Sequence, residues 1–235
     1  MGSVVTGQII NFLKDYKAIE PGDVIGVGVS GGKDSMVLLH ALADIRNYSK
    51  IPFEIKAFTV ALGFDGFDLS PVAEICEQIN VPYEIINTNI GQIVFEAREE
   101  KNPCSLCANM RRGALNNAAK AAGCNKVALG HNKDDVIETY LMSLFYEGRF
   151  NTFSPVTYLS KKDLHVIRPL CYSYNKDVRY YRNLFKLPTV ENPCPVSGVT
   201  GREKIREFIK SQARENKHFR PNIFGAIKRN HISGW

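Results

Sequence analysis

Val24-Ile25-Gly26-Val27-Gly28-Val29-Ser30-Gly31-Gly32-Lys33-Asp34-Ser35 is the stretch whose reading decides the fold. Its first half alternates Val or Ile with Gly, the pattern of a buried strand. It then runs without a spacer into a Ser-Gly-Gly turn and an apolar helix from Met36 to Ala43. Strand, glycine turn and helix together make an anion cradle. Glycines let successive backbone N–H groups converge, and the helix behind them adds its unpaired first amides and the positive end of its dipole. A phosphate is the group such a turn receives.

Mismatches narrow the kind of phosphate site. A Walker loop needs a glycine where Val27 stands and a hydroxyl residue after Lys33, where Asp34 stands. Gly26, Gly28 and Gly31 do spell G-x-G-x-x-G, but the acidic residue that a dinucleotide site wants about 20 positions on is missing. The strand that should deliver it ends Thr59-Val60-Ala61.

Outward from this turn, periodicity predicts an amphipathic helix over 5–17 that covers an edge of the sheet and stops at Pro21-Gly22. Strands follow over 53–62, 83–87, 126–129 and 165–170, with helices over 70–80, 108–122, 136–146 and 175–185 between and after them. A basic helix over 201–217 leads into a short tail to Trp235. Alternating strands and helices with short joins imply right-handed crossovers and an α/β fold, a mostly parallel sheet with helices on both faces. Ligands of such sheets sit at the carboxyl ends of strands, where Ser30 to Ser35 lies and where Thr59 to Leu62 can meet an adenine ring.

A chain of 235 residues with 44% hydrophobic content fits one domain over 1–235 with a basic helical extension from residue 200, and it shows no internal repeat or low-complexity linker. The net charge of +6 conceals an asymmetry. Residues 1–100 hold 7 Lys/Arg against 14 Asp/Glu, and residues 101–235 hold 23 against 10. The second part suits a polyanion; a merely solvated basic surface is the alternative. No apolar run approaches the roughly 18 residues of a membrane span and no signal-peptide core is present, so a soluble, intracellular protein is expected. Met1-Gly2 with Thr6 formally fits a myristoylation pattern, but nothing else points to an anchor.

Six cysteines in such a chain argue for metal or catalysis rather than a disulfide framework. Asn102-Pro103-Cys104-Ser105-Leu106-Cys107 opens a helix whose N-terminus favours thiolates, and a metal site, a redox pair and half of a zinc site all fit that spacing. Gly130-His131-Asn132-Lys133-Asp134-Asp135 brings two adjacent carboxylates to another strand-to-helix junction. They suit an Mg²⁺ carried by nucleotide phosphates, while N-capping by one of them is the competing role. His131 either acts on the reacting groups or orients the loop. Arg179-Tyr180-Tyr181-Arg182 interleaves cations with rings, as phosphate contact and base stacking require, though tyrosines packed inward with arginines in water would read the same. Cys194, between Pro193 and Pro195, is well posed to complete a metal site.

Ser30-Gly31-Gly32-Lys33-Asp34-Ser35 resembles the PP-loop of the ATP pyrophosphatases, which split ATP between its α and β phosphates to adenylate a substrate. Behind it, in order, stand Cys104-x-x-Cys107-x-x-x-Arg111-Arg112-Gly113, Gly130-His131-Asn132-x-Asp134-Asp135, Val166-Ile167-Arg168-Pro169-Leu170 and a late Cys194. With these motifs the chain resembles the tRNA 2-thiocytidine synthetase family over residues 20–210. The resemblance implies an adenine nucleotide alpha hydrolase-like fold and a cytoplasmic enzyme that adenylates the C2 oxygen of a tRNA cytidine, at position 32, and replaces it with sulfur. It implies a 4Fe-4S cluster on Cys104, Cys107 and Cys194, with ATP and Mg²⁺ besides. By the same carry-over Asp34 and Asp135 join the three cysteines as catalytic residues. Nucleotide contacts fall to Ser30, Gly31, Gly32, Lys33, Asp34, Ser35, Val60, Gly130, His131 and Asp134. The implied partners are tRNA and a sulfur donor, either a cysteine desulfurase or free sulfide; no membrane is involved, and a homodimer is allowed.

The chemistry is coherent: a urea-like carbonyl oxygen leaves poorly until it is joined to AMP, and a cluster iron without a protein ligand can hold sulfide near the activated carbon. A fourth thiolate from Cys171 or Cys124 would close that corner, and Cys171 reads rather as a small buried core residue. The chain is shorter at both ends than the better-known bacterial members and lacks the paired zinc-finger cysteines that flank the PP-loop in thiolases acting on uridines 54 and 34. Two rival readings are a PP-loop sulfur transferase acting on another nucleotide or a small molecule, and a zinc-stabilised nucleic-acid-binding module built on Cys104, Cys107, Cys171 and Cys194.

Overall fold

The computed structural model describes residues 3–94, 103–191, 193–194 and 201–235. Asn102, Pro195 and the residues between Pro195 and Gly201 lie outside the described residues. In chain order the elements are α1 (Val4–Asp15), β1 (Asp23–Gly28), α2 (Lys33–Tyr48), β2 (Phe53–Ala61), α3 (Ser70–Gln78), β3 (Tyr83–Asn87) and the single turn α4 (Ile90–Gln92). They continue with α5 (Pro103–Ala121), β4 (Lys126–Ala128), α6 (Lys133–Glu147), β5 (Val156–Leu159), β6 (Leu164–Ile167), a 3-10 turn (Pro169–Tyr172), α7 (Asn175–Leu184), α8 (Gly201–Glu215) and α9 (Phe219–Arg229).

The sheet order is β3-β2-β1-β4-β6-β5, and every neighbouring pair is parallel except β5 with β6. The chain winds from β1 outward through β2 to β3, then returns to the other side of β1 for β4 and β6. The reversal opens a crevice between the carboxyl ends of β1 and β4, the place where such sheets bind ligands. Antiparallel β5 departs from the sequence reading, which had no strand over 156–159; four residues in a hairpin give too short an alternation to register.

β1 shows why the alternation of its residues matters. Ile25 and Val27 are fully buried in the main core with α1, α2 and α6, each contributing about 1.5–3 kcal/mol by burial. Gly26 and Gly28 face α5. A Cβ on Gly28 would stand 2.8 Å from Leu115, and one on Gly26 3.1 Å from Ala119 and 3.2 Å from Phe58. The glycines therefore let α5 lie against the sheet, where Leu115 and Ala119 join Phe58, Cys124, Val127 and Leu164 in a second core.

Two helical expectations need correction. α1 lies on a face rather than an edge, packed on α2, α7 and the 3-10 turn, because Val5, Ile9 and Phe12 are all buried in the main core. The expected tail after residue 217 holds α9, whose Phe224 and Ile227 join the same core together with Ile205 and Ile209 of α8.

Candidate active site

The turn after β1 is shaped by its own hydrogen bonds. Ser35 Oγ accepts from Ser30 N at 3.1 Å and donates to Gly32 O at 2.9 Å, closing the loop over the first turn of α2. Gly31 sits at φ +77°, a conformation a side chain resists. Gly32 caps α2 without a side chain, so the first amides of the helix stay available to an anion.

The turn after β4 packs directly on it: a Cβ on Gly130 would lie 3.0 Å from Ser35 N and 3.1 Å from the Asp34 carbonyl carbon. Asn132 then joins the two. Its Nδ2 donates to Asp34 Oδ1 at 3.0 Å while its Oδ1 accepts from the amides of Asp134 and Asp135. Asp135 Oδ2 accepts from Asn132 N at 2.9 Å, which completes a capping box for α6. The cap is thus Asn132, not one of the aspartates, and α6 begins at Lys133 rather than Val136.

The two aspartates part company. Burial raises the pKa of Asp135; the Asn132 amide opposes that, and Asp34 adds to it as a neighbouring carboxylate. Asp34 and Asp135 therefore share a field, as two carboxylates about one divalent cation would. Lys33 Nζ closes the other side of Asp34 at 2.5 Å. Asp134 turns away: it accepts from Asn175 N at 2.7 Å and faces Arg220 Nε at 3.3 Å.

Between the turns and α5 lies a cavity of about 520 Å³. Ser30, Asp34, Ser35, Val60, Gly130 and His131 line it, with apolar walls from Phe58, Leu62 and Leu115. That combination of polar groups and apolar walls is what an adenine nucleotide requires. His131 is held neutral, its pKa pushed down to about 4 by burial and then by Arg168 and Arg202. Its ring packs at a tilt against Phe153 and its buried Nδ1 has no hydrogen-bond partner among the described residues, so it does not serve as a charged acid at neutral pH.

Cys104 and Cys107 stand on the first turn of α5, the first exposed and the second buried. Burial lifts the Cys107 thiol; Arg111 opposes that, while Cys194 and Cys104 add to the rise, so Cys107 stands within the field of both other sulfurs. Among the described residues no three His, Cys, Asp or Glu side chains close on a single-ion site. A cluster asks something else of its thiolates, since each binds a separate iron corner. Three thiols that are neighbours without sharing one point fit that demand. The segment bearing Cys194 is tied to the first turn, because Val190 N donates to Gly31 O at 2.9 Å. Four residues of chain span at most about 14 Å, so Cys194 stays near the phosphate cradle. Ala108 and Pro193, the neighbours of Cys107 and Cys194, line the same cavity as Ser30 and Asp34.

Residues 2–213 match the family described as a PP-loop domain. A tRNA-cytidine(32) 2-sulfurtransferase of Pelobacter propionicus is 35% identical over 220 residues, covering 92% of this chain and 82% of its own. One of Bdellovibrio bacteriovorus is 36% identical over 221 residues, with 94% and 84% covered. The chain belongs to the PP-loop family, among the tRNA-cytidine(32) 2-sulfurtransferases. Its fold is shared by the U34-tRNA thiolase NcsA of Methanococcus maripaludis, a structure solved with its [4Fe-4S] cluster, at TM-score 0.79 and 22% identity over 96% of this chain and 76% of that one.

With the PP-loop so placed, the remaining thiols separate cleanly. Cys171 is fully buried, its Sγ donates to His131 O at 3.4 Å, and burial keeps its pKa well above the ordinary thiol value. Cys124 is buried in the second core beside Phe58 and Leu115. Neither belongs with Cys104, Cys107 and Cys194, so the four-cysteine zinc set that included Cys171 does not form.

Several residues of the site had no role in the sequence reading. Asn132 could have been found, since Asn three residues before Asp is a capping pattern. Arg168, which lines the cavity with Arg111 and Arg112, could not: nothing in Ile-Arg-Pro-Leu says that its guanidinium would be pinned by Ser154 O at 2.7 Å over the Phe153 ring. Arg202 and Arg206 of α8, which reach Asp135 and Glu138, lie far along the chain and carried only a charge signal.

Proposed function

We propose that this chain is an ATP-dependent tRNA thiolase: it adenylates the C2 oxygen of cytidine 32 and exchanges that oxygen for sulfur. One observation carries the reading. A single cavity is lined both by PP-loop residues and by the neighbours of two thiols, so an oxygen activated at the loop would be within reach of sulfur held at the thiols.

In this reading the amides of Gly31 to Ser35 and Lys33 hold the triphosphate, Phe58, Val60 and Leu62 flank the adenine, and Gly130 and His131 close the floor. Asp34 and Asp135 would hold Mg²⁺, each fixed by Asn132, while Asp134 acts in packing α6 on α7 and α9. Attack by the cytidine C2 oxygen on the α-phosphorus expels pyrophosphate and leaves an adenylated base. Attack of sulfide at C2 then expels AMP. Cys104, Cys107 and Cys194 would hold a 4Fe-4S cluster, which when bound supplies an iron without a protein ligand to carry sulfide.

The basic second part of the chain supports tRNA as the substrate, a cysteine desulfurase or free sulfide would supply sulfur, and the cytoplasm is the matching compartment. No helix among the described residues is long and apolar enough to cross a membrane. Homodimerisation stays a proposal that light scattering decides. The test of the function is anaerobic reconstitution with iron and sulfide, followed by incubation with ATP and a tRNA transcript. Nucleoside mass analysis should show 2-thiocytidine with AMP and pyrophosphate in equal amounts; AMP without thiocytidine would overturn the reading.

A further inference from the structure

A second hollow of about 890 Å³ opens on the other side of the PP-loop, between the start of α6 and helices α7, α8 and α9. Lys33 lies on its wall, and so do Lys176 and Arg179 of α7, Lys210 of α8, and Lys217 in the turn before α9. The carboxylates on that wall are already engaged: Asp134 by Asn175 N and Arg220, Glu138 by Arg206 and Arg202, and Glu203 by Arg206. Lys176, Arg179, Lys210 and Lys217 are exposed and make no ion pair with a carboxylate among the described residues. Four unneutralised cations around a hollow too large for one phosphate call for a ligand carrying several.

We infer that this groove receives the sugar–phosphate backbone of the RNA substrate and lays it beside Lys33, so that the target nucleotide enters the cavity across the PP-loop. The inference rests on the thiolase reading and adds the path of the RNA. Spacing suits a strand: Lys176 and Arg179 are three residues apart on α7, about 4.5 Å of helix rise, so both heads present to one side. Tyr180, adjacent to Arg179, is 66% exposed and offers a ring face for a base. An acidic protein would find the same charge, but the groove leads to the PP-loop, where the nucleic-acid substrate must arrive. The long basic side chains act as separate cations that contact successive phosphates and release their counterions.

The experiment measures binding of an unmodified tRNA transcript by the full chain between 50 and 200 mM KCl. The parent is compared with a variant carrying Lys176→Gln, Arg179→Gln, Lys210→Gln and Lys217→Gln, and with Lys50→Gln plus Lys161→Gln as a charge control. The quadruple variant should bind about 100-fold more weakly at 150 mM salt, with the slope of log K against log salt shallower by about 3. Its ATP affinity and thermal midpoint should equal the parent's, and the control should keep the parent's slope. A parent that binds tRNA with a steep slope shared by the quadruple variant would overturn the groove alone. A parent with no salt-dependent tRNA binding would overturn both the groove and the thiolase reading.

Discussion

The PP-loop lines the cavity and the thiols adjoin it through Ala108 and Pro193, yet the two are held differently. The loop is fixed by its own polar contacts: Ser35 braces Ser30 and Gly32, and Asn132 bridges Asp34 to the cap of α6. The Cys107 thiol answers instead to burial and to the fields of Arg111, Cys194 and Cys104. Cys107 is 7% exposed and burial raises its pKa, so as a metal-free thiol it stays protonated, and its thiolate form needs an iron to stabilise it. The difference teaches that the nucleotide end is preorganised by its own hydrogen bonds, within the PP-loop and from Asn132 98 residues on, whereas the Cys107 thiol needs a metal to give up its proton.

The hardest way to break that contrast is Cys107→Ser. Thiolation should be abolished and iron lost, while ATP binds with the parent's affinity, because the hydrogen bonds that fix the PP-loop run through Ser30, Gly32, Ser35 and Asn132. Iron determination and isothermal titration with ATP check both halves; full iron in an active variant would refute the ligand set. At the other end, Asp34→Ala should lower pyrophosphate release about 10²- to 10³-fold, the range seen when one group that stabilises a transferring centre is removed. Iron content should be unchanged. Undiminished release would remove Asp34 from the reaction.

The same contrast explains what the sequence could reveal. The strand, the glycine turn and α2 are contiguous, so Val24 to Ser35 displayed cradle and position at once, and Ser30, Asp34 and Gly130 lie where the residue pattern put them. Cys194 needed a partner 87 residues earlier, and no local pattern links it to Cys107; only the order of motifs did. Asp134 and Asp135 look equivalent in the sequence, but a helix turns neighbours by about 100°, so Asp135 lies in the field of Asp34 while Asp134 lines the α7–α9 groove. β5 and α9 escaped because one is a four-residue hairpin strand and the other a helix that carries Pro221 and Gly225, residues that read as a turn or loop.

A milder probe uses acidity. His131 is a base held near 4 in the fold and near 6.5 when unfolded. Above pH 6.5 both states are neutral and the site costs nothing as pH changes. As pH falls from about 6.5 to about 4 the unfolded chain takes the proton first, and stability should fall by up to about 3 kcal/mol. His40, also lowered by burial, adds in the same direction. Urea melts across that window should show a shallower decline in His131→Gln. An unchanged decline would mean that the ring opens to water without unfolding, and that the floor of the nucleotide end is looser than its bonding suggests.

The smallest effect separates a thiol that packs from thiols that bind. Cys171 lies under the His131 carbonyl, fully buried and protonated, with Arg168 rather than another cysteine as its largest charge influence. Its sulfur fills core volume and gives one weak hydrogen bond. Cys171→Ala should therefore cost about 1–2 kcal/mol of stability and leave iron per chain and thiolation rate at the parent's values. Thermal melts and iron determination on the same preparation decide it. If iron falls as it does in Cys107→Ser, the buried thiol belongs to the metal site, the open iron corner is closed, and the two ends of the cavity are not built differently after all.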